Sequence, residues 1–253
     1  MKFINDTRVL FVRAVKGSIR NPIWLFIGMF QPVLYLLLFA PLLNNLGSVP
    51  GFPPGGAFTV FTPGLLVMLA LFTTAFAGFG LVDQIRNGFV ERLLVTPASR
   101  LSILVAYLLR DIAVLVVQSI IAVLLAVLMG LNVSLLGLVA TFGLMILTGT
   151  VMASCSYSLA LMLKREDALA SVTNTVATPL MLLSGITLPL TLAPKIIRSI
   201  ASVNPLSYEV TASRALFLGN FGDPTILVSV VVLGALAALA FWWAIRSFRR
   251  AAA

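Results

Sequence analysis

Four stretches of the chain contain no charged residue, and their lengths limit the fold to one class. They run from Asn21 to Val82, from Ile112 to Leu163, from Ala168 to Pro194 and from Pro224 to Ile245. A helix needs roughly 20 apolar residues to cross a hydrocarbon core of about 30 Å, so the first two stretches can hold two helices each and the others one. The sequence therefore predicts an all-α integral membrane protein with six transmembrane helices.

Composition supports this class. Hydrophobic residues make up 60% of the chain and charged residues only 10%, and the mean hydropathy is +1.09. The single cysteine cannot form a disulfide within one chain. The formal net charge of +9 comes from basic residues at the ends of the hydrophobic stretches, a pattern typical of membrane proteins. We therefore expect no nucleic-acid partner.

Loop residues divide the charge-free stretches into spans. We expect these at residues 24–43, 59–82, 103–130, 135–163, 168–188 and 225–245. In this arrangement most basic residues lie on one side of the membrane, and only Lys195, Arg198 and Arg214 lie on the other. Since cytoplasmic loops are enriched in Lys and Arg, both termini are predicted in the cytoplasm, with the chain crossing the plasma membrane several times. The first apolar run is about twice as long as a signal-peptide core, so we expect it to be retained.

Residues 1–20 form a basic lead-in with a helical pattern. An apolar arc is predicted from Phe3, Thr7, Leu10, Phe11 and Ala14, with basic residues opposite. This pattern predicts an amphipathic helix that lies in the plane of the membrane at its cytoplasmic face. The alternative is a disordered polybasic tail.

Two connections between the spans also have helical features. Between spans two and three, apolar residues at helical spacing end at Pro97 and predict a short amphipathic cytoplasmic helix; an ordinary loop resting on the bilayer is the alternative. On the other side, residues 194–219 predict a helical hairpin that re-enters the outer leaflet. Its second helix has Asn204 as N-cap and Pro205 at the first position, and is too short to span.

Three segments resemble a known family. They are GFVERLLVTPASR at residues 88–100, LSGITLPL at residues 183–190 and NPLSYEVTASR at residues 204–214. Together with the six spans they resemble type-2 ABC exporter permeases, the membrane subunits of ATP-binding-cassette exporters, and within these the daunorubicin-resistance permeases. The resemblance implies a bacterial exporter of amphipathic or lipid-like compounds. It also implies a second permease copy, forming a homodimer, and two soluble ATPase subunits.

The resemblance further assigns site residues. It implies that the cytoplasmic helix docks on the ATPase, through Arg86, Gly88, Phe89, Glu91, Arg92, Leu93, Leu94, Pro97 and Arg100. The outer hairpin would act as a gate, with Asn204, Pro205, Tyr208, Glu209 and Arg214 as its main residues. ATP closure of the ATPase pair would move the cytoplasmic helix, and a path would open beneath the hairpin.

The residues themselves indicate that the energy source is external. No lysine stands in the Gly-Lys-Ser/Thr context of a phosphate-binding loop, so ATP and Mg²⁺ are expected on the partner subunit and no cofactor on this chain. The chain has no histidine, and Arg110 with Asp111 are the only charged residues inside a predicted span. The scattered acids predict neither catalysis nor a metal site. A gradient-driven carrier and a non-transporting membrane scaffold are the alternatives.

Polar residues in span five could line a path or a dimer interface. These are Ser171, Asn174, Thr175 and Thr178, and similar hydroxyl residues occur in span four. Small and hydroxyl residues also serve helix packing in lipid, so packing within the chain is the alternative role for them.

Overall fold

A computed structural model describes residues 2–20, 30, 32–38, 56–88, 99–186 and 193–250. The helices are α1 (Lys2–Arg20), α2 (Gly56–Ala75), α3 (Ala77–Arg86), α4 (Arg100–Leu128), α5 (Leu135–Leu163), α6 (Glu166–Leu182), α7 (Lys195–Ala201), α8 (Pro205–Phe217) and α9 (Pro224–Arg250). Residues 32–38 are also helical, and these ranges contain no strand. The predicted all-α class is confirmed.

Four helical stretches in the described ranges are long and apolar enough to cross a membrane. They are Phe58–Arg86, Arg100–Leu128, Leu135–Leu163 and Pro224–Arg250, which coincide with predicted spans two, three, four and six. Most of the first predicted span lies outside the described residues. Helix α6, in the fifth, has 17 residues and spans roughly 26 Å. The chain is a multi-pass membrane protein, and the count of six spans stays a prediction.

Helix α6 ends earlier than the predicted fifth span. It stops at Leu182, six residues before the expected end at 188, and continues as a turn. In this turn the Ser184 hydroxyl donates to the Met181 carbonyl at 2.6 Å, and Gly185 has φ +76°. A left-handed residue ends a helix, and glycine adopts that conformation without steric cost. The turn therefore replaces the last part of the predicted helix.

The core consists of two main clusters stacked along the bundle. The outer-end cluster surrounds α2 and includes Phe61, Leu66, Leu115, Met145 and Phe217. The inner-end cluster joins the end of α3 and the start of α4 to α5 and α9, and includes Leu81, Leu104, Tyr157, Leu169 and Phe248. Throughout, the outer end of the bundle is the end with the cluster around α2, and the inner end is the end with the second cluster.

Span two is divided into α2 and α3 at Phe76. The Ser156 hydroxyl on α5 donates to the Ala75 carbonyl at 2.6 Å and accepts from the Gly78 amide at 2.9 Å, so one side chain satisfies both helix ends. A Cβ on Gly78 would lie 2.6 Å from the Ser156 carbonyl oxygen. A side chain inserted into the backbone ladder is an established cause of a helix break. Glycine at this position therefore allows the close packing of α3 on α5.

The outer helices α7 and α8 are joined by a short turn and packed on the bundle. Asn204 is the N-cap of α8: its side-chain oxygen accepts from the Leu206 amide at 3.0 Å, while its amide nitrogen donates to the Leu180 carbonyl at 2.7 Å. Asp223 caps the next helix by accepting from the Thr225 hydroxyl and amide, and these bonds lower the pKa of its carboxyl. The N-cap residues thus fix where α8 and α9 begin.

Helix α1 packs against α4 at the inner end. Within the predicted apolar arc, Thr7 is buried, Leu10, Phe11 and Ala14 are half-buried, and Phe3 is 41% exposed. Leu10 contacts the inner-end cluster. Most of the arc therefore faces the protein. The in-plane orientation stays a prediction.

We predict that Gly137→Ala destabilises the fold and that Gly143→Ala does not. A Cβ on Gly137 would lie 2.3 Å from the Leu216 carbonyl oxygen, so α5 and α8 must separate, at a cost of about 1–3 kcal/mol. Gly143, on the same helix, has nothing within 4 Å of an added Cβ, and alanine there should be neutral or slightly stabilising. Thermal unfolding in detergent measures both variants. Equal melting temperatures would contradict the close packing of α8 on α5.

Candidate functional site

The segment predicted to contact the ATPase is well defined at both of its ends. Helix α3 stops at Arg86, and Gly88, with φ +66°, turns the chain away from the helix axis. On the other side of the segment, the Ser99 hydroxyl accepts from the Ser102 amide at 3.0 Å and caps α4. The remaining predicted residues between these ends, which are Phe89, Glu91, Arg92, Leu93, Leu94 and Pro97, lie outside the described residues.

Each end of this segment is bonded to another helix. On the α3 side, Arg86 forms an ion pair with Glu166 of α6 at 3.4 Å. On the α4 side, the Arg100 guanidinium donates to the Arg249 carbonyl near the end of α9 at 3.1 Å. Both bonds are exposed, so their energetic contribution is small, but they connect the segment to α6 and α9.

A buried polar cluster lies at the inner end, one to three turns from this segment. Arg110 and Asp111 of α4 form an ion pair at 2.5 Å. The buried Tyr157 hydroxyl of α5 donates to Asp111 and accepts from Arg110. The Tyr107 hydroxyl donates to the Gln84 side chain of α3. We call these five residues the inner polar cluster; it joins α3, α4 and α5.

Sequence reasoning found only part of this cluster. It marked Arg110 and Asp111 as the only charged residues inside a predicted span, and in the structure they form an ion pair. It missed Tyr107, Tyr157 and Gln84, which come from other turns and helices. Tyrosines in apolar runs could have served as a signal, because a buried hydroxyl needs a partner and Asp111 is the only carboxylate inside a predicted span.

At the outer end, Arg214 of α8 is bonded to backbone carbonyls. Its guanidinium donates to Val60 at 2.9 Å in α2 and to Gly185 at 2.8 Å in the turn after α6. A Cβ on Gly64 would lie 2.4 Å from the Ile186 carbonyl, so this turn also packs closely on α2. Arg214 therefore holds α2, α8 and the turn together.

Glu209 is a fully buried carboxyl on the same helix. The Thr148 hydroxyl of α5 donates to its Oε2 at 2.5 Å. The other oxygen, Oε1, has no hydrogen-bond partner among the described residues. A buried polar group without full hydrogen bonding costs free energy. Glu209 is therefore the costliest of the predicted gate residues to bury.

The remaining predicted gate residues have local roles. Asn204 and Pro205 form the start of α8. The Tyr208 hydroxyl donates to the Ser202 carbonyl at 2.6 Å and so fixes the turn between α7 and α8. The structure thus brings Asn204, Glu209 and Arg214 into contact with neighbouring helices, and leaves Tyr208 on the hairpin itself.

The polar residues predicted in span five lie on an exposed face of α6. Ser171, Asn174, Thr175 and Thr178 are all exposed, whereas Thr148, Ser154 and Ser158 of α5 are buried. The Thr175 hydroxyl and the Asn174 amide donate to carbonyls of their own helix at 2.7 and 3.0 Å. We call this face the α6 polar stripe. Within the chain as described, these four residues do not serve packing between helices.

The described residues contain no cluster of three or more His, Cys, Asp or Glu that could hold a metal ion. At the inner junction before α6, the Arg165 guanidinium donates to Asp167 at 2.5 Å and lowers the pKa of that carboxyl. This pair is exposed to solvent and belongs to the turn.

Long apolar helices joined by buried polar contacts at both ends define a multi-pass helical membrane protein. A sequence model of the ABC-2 type transporter family matches residues 5–218, so the chain belongs to this family. It is therefore the permease subunit of an ABC transporter, a transport component that is not itself catalytic. The family implies an ABC ATPase as its partner.

Individual relatives agree with this family. The ycf38 protein of Pyropia yezoensis, whose name describes a transport permease, is 30% identical over 232 residues, which cover 89% of this chain and 79% of the relative. The ycf38 protein of Cyanophora paradoxa is 29% identical over 85% of this chain and 75% of its own length. The daunorubicin resistance ABC transporter permease DrrB1 of Streptomyces coeruleorubidus is 26% identical over 83% of this chain and 74% of its own length.

We predict that Asp111→Ala destabilises the protein by about 3 kcal/mol, because it leaves the Arg110 charge buried without its partner. The control is Asp83→Ala, which removes an exposed carboxylate of α3 and should change stability by less than about 0.5 kcal/mol. Unfolding by titration with a denaturing detergent measures both. If both variants were equally stable, the inner polar cluster would not contribute to the fold.

We predict a second difference at Glu209. Thr148→Val removes the described hydrogen-bond donor to the carboxyl and should cost about 1–3 kcal/mol. Thr150 lies two residues further along α5 and donates only to the Ile146 carbonyl of its own helix. Thr150→Val should therefore be nearly neutral. Thermal unfolding in detergent compares the two variants. The reverse order of stabilities would disprove the role assigned to Thr148.

Proposed function

We propose that this permease subunit exports a hydrophobic or amphipathic compound, drug-like or lipid-like, across the bacterial plasma membrane. It would act as a homodimer with two soluble ATPase subunits, and both termini would lie in the cytoplasm. One relative is named for daunorubicin resistance, which supports an amphipathic substrate. The inner end of the bundle, which carries most of the basic residues, would face the ATPase.

One observation carries the proposal: both ends of the connection between α3 and α4 are bonded to other helices. Arg86 contacts α6, Arg100 contacts α9, and Gln84 contacts Tyr107 of α4. A force applied to residues 88–97 would therefore act on several spans at once. This is the arrangement needed where ATP hydrolysis takes place on a separate subunit.

In the proposed cycle, ATP closes the ATPase pair and displaces the connection, with Glu91 to Leu94 as the docking residues. The inner polar cluster passes the displacement from α3 to α4 and α5. At the outer end, α5 contacts α8 through Thr148 and Glu209, so a rotation of α5 would strain the buried carboxyl. Separation of α8 from α5 would relieve this strain and open a path beneath the hairpin.

The second permease copy would pack on the α6 polar stripe. Polar side chains that face lipid are costly, even where they bond to their own helix, and a partner helix or a water-filled path removes that cost. The stripe is exposed in the single chain, as such an interface requires. In the dimer it would line either the contact between the two copies or the substrate path along it.

The alternatives predict a different energy source. A gradient-driven carrier needs an ionisable group that can exchange ions inside the membrane. Arg110 and Asp111, the only charged residues inside the predicted spans, are bonded to each other and to Tyr157. A scaffold would bind partners without transport. The match to the ABC-2 type transporter family favours ATP-driven export over both alternatives.

The test is transport by vesicles that contain the permease and the ATPase that co-purifies with it from native membranes. We expect ATP-dependent accumulation of daunorubicin or a fluorescent phospholipid that persists with an ionophore. Leu93→Pro, which would break the cytoplasmic helix predicted from the sequence, should abolish transport and ATPase binding without affecting membrane insertion. Glu91→Lys should strongly reduce both, because it reverses a charge at the docking surface.

Lys164→Gln is the control for this experiment, since it removes a basic residue at another inner junction and should leave transport intact. Uphill transport by the permease alone would refute the proposal. Loss of insertion in Leu93→Pro would mean that the segment is structural. Transport that is lost with an ionophore would favour a gradient-driven carrier.

A further inference from the structure

A cavity of about 370 Å³ lies at the inner end of the bundle, between the start of α4 and the end of α9. Its described lining contains the basic residues Arg100 and Arg249, the polar residue Ser99, and the apolar residues Leu101, Leu104, Ile245 and Phe248. Neither the inner polar cluster nor the outer hairpin contributes a described residue to this lining, but the bond between Arg100 and the Arg249 carbonyl lies in it.

The apolar part of the cavity leads from the core to the outside of the bundle. Leu104 and Phe248 are buried in the inner-end cluster. Leu101 is 38% exposed and Ile245 is half-buried, so the apolar lining also reaches the surface of the bundle. In a membrane, the hydrocarbon chains of lipids would contact that surface. The cavity is therefore open to a molecule that has an apolar tail.

The basic part lies where the two helices end. Arg100 and Arg249 are both exposed, and Arg100 donates to the backbone carbonyl of Arg249 at 3.1 Å, which holds the two helix ends together. The first turn of α4 adds a partial positive charge, because the amides at the start of a helix lack partners within the helix. None of the described lining residues is acidic. The polar rim therefore favours an anion.

We propose that this cavity binds an anionic phospholipid of the inner leaflet, with the phosphate of the headgroup between Arg100 and Arg249 and an acyl chain along Leu101 and Ile245. Basic pockets between membrane helices on the cytoplasmic side are suited to such headgroups. A free phosphate would use the rim but not the apolar lining, and an acidic protein surface would likewise leave the apolar lining unoccupied. The proposal rests on the orientation proposed above, but not on the substrate.

Such a lipid would connect spans three and six next to the docking segment, since Ser99 both lines the cavity and ends that segment. It would thereby support the bond between Arg100 and the end of α9. The lipid is a ligand of the permease itself, separate from any compound that is transported.

The experiment is native mass spectrometry of the full-length permease released from detergent with an equimolar mixture of phosphatidylglycerol and phosphatidylcholine. We expect preferential retention of phosphatidylglycerol. Arg249→Gln should weaken this retention about fivefold, the effect expected of one basic residue near a membrane surface. Arg246→Gln is the matched control, because Arg246 is exposed on the same helix and is not among the described lining residues of the cavity. Its guanidinium carbon lies 5.6 Å from the centre of the Trp242 ring. It should retain the lipid as the unaltered chain does.

A second variant and a second probe separate the other ligands. Leu101→Ser removes apolar lining at an exposed position. It should weaken the binding of phosphatidylglycerol without changing the binding of inorganic phosphate. Displacement of the lipid by millimolar inorganic phosphate would assign the rim to a free anion and overturn the proposal. Equal losses in Arg249→Gln and Arg246→Gln would indicate general attraction and also overturn it. If Arg249→Gln retained the lipid but no longer bound the ATPase, the rim would be assigned to the ATPase subunit and the proposal would be overturned.

Discussion

In hydrocarbon there is no water to accept a hydrogen bond, so each polar group of a membrane helix must be satisfied inside the protein. Among the described residues, several hydroxyl groups meet that requirement on their own helix: Thr74, Ser119 and Thr141 donate to carbonyls four residues earlier. Other polar side chains join helices. The Ser156 hydroxyl bonds to both halves of span two, and the Arg214 guanidinium donates to carbonyls of two neighbouring segments. The contacts of Ser156 and Arg214 hold neighbouring helices of the bundle together.

The same requirement identifies where the bundle is incomplete as a single chain. One oxygen of Glu209 has no partner among the described residues, nor do the buried hydroxyls of Thr62, Ser154, Ser213 and Ser229, and the α6 polar stripe is exposed. Glu209 lies on the outer helix that moves in the proposed cycle, and the stripe is the face proposed to contact the second copy. Incomplete satisfaction at these two places is the physical reason to connect them with opening and with dimer formation.

Sequence reasoning succeeded where a signal is local. Charge-free runs of sufficient length predict helices, and Asn204 followed by Pro205 predicts where α8 begins. It was less successful where partners are distant in sequence. The end of α6 at Leu182 depends on the turn at Gly185 that Arg214 holds, and the partners of Asp111 include a tyrosine 46 residues away. Neither periodicity nor spacing contains that information, because each contact is chosen by how the helices pack.

Span two has a consequence for the way the protein is made. In its most apolar window 72% is buried within the chain, against 39%, 33% and 22% in the other three candidate spans. The elements that enclose it, α4, α5 and α8, are synthesised later. A newly inserted span two must therefore remain in lipid, stable by its own hydropathy, until the ribosome has delivered its neighbours. Between the insertion of span two and the synthesis of its neighbours, the newly made subunit thus exposes threonine side chains that the folded protein buries. Quality-control factors would recognise those surfaces during that interval.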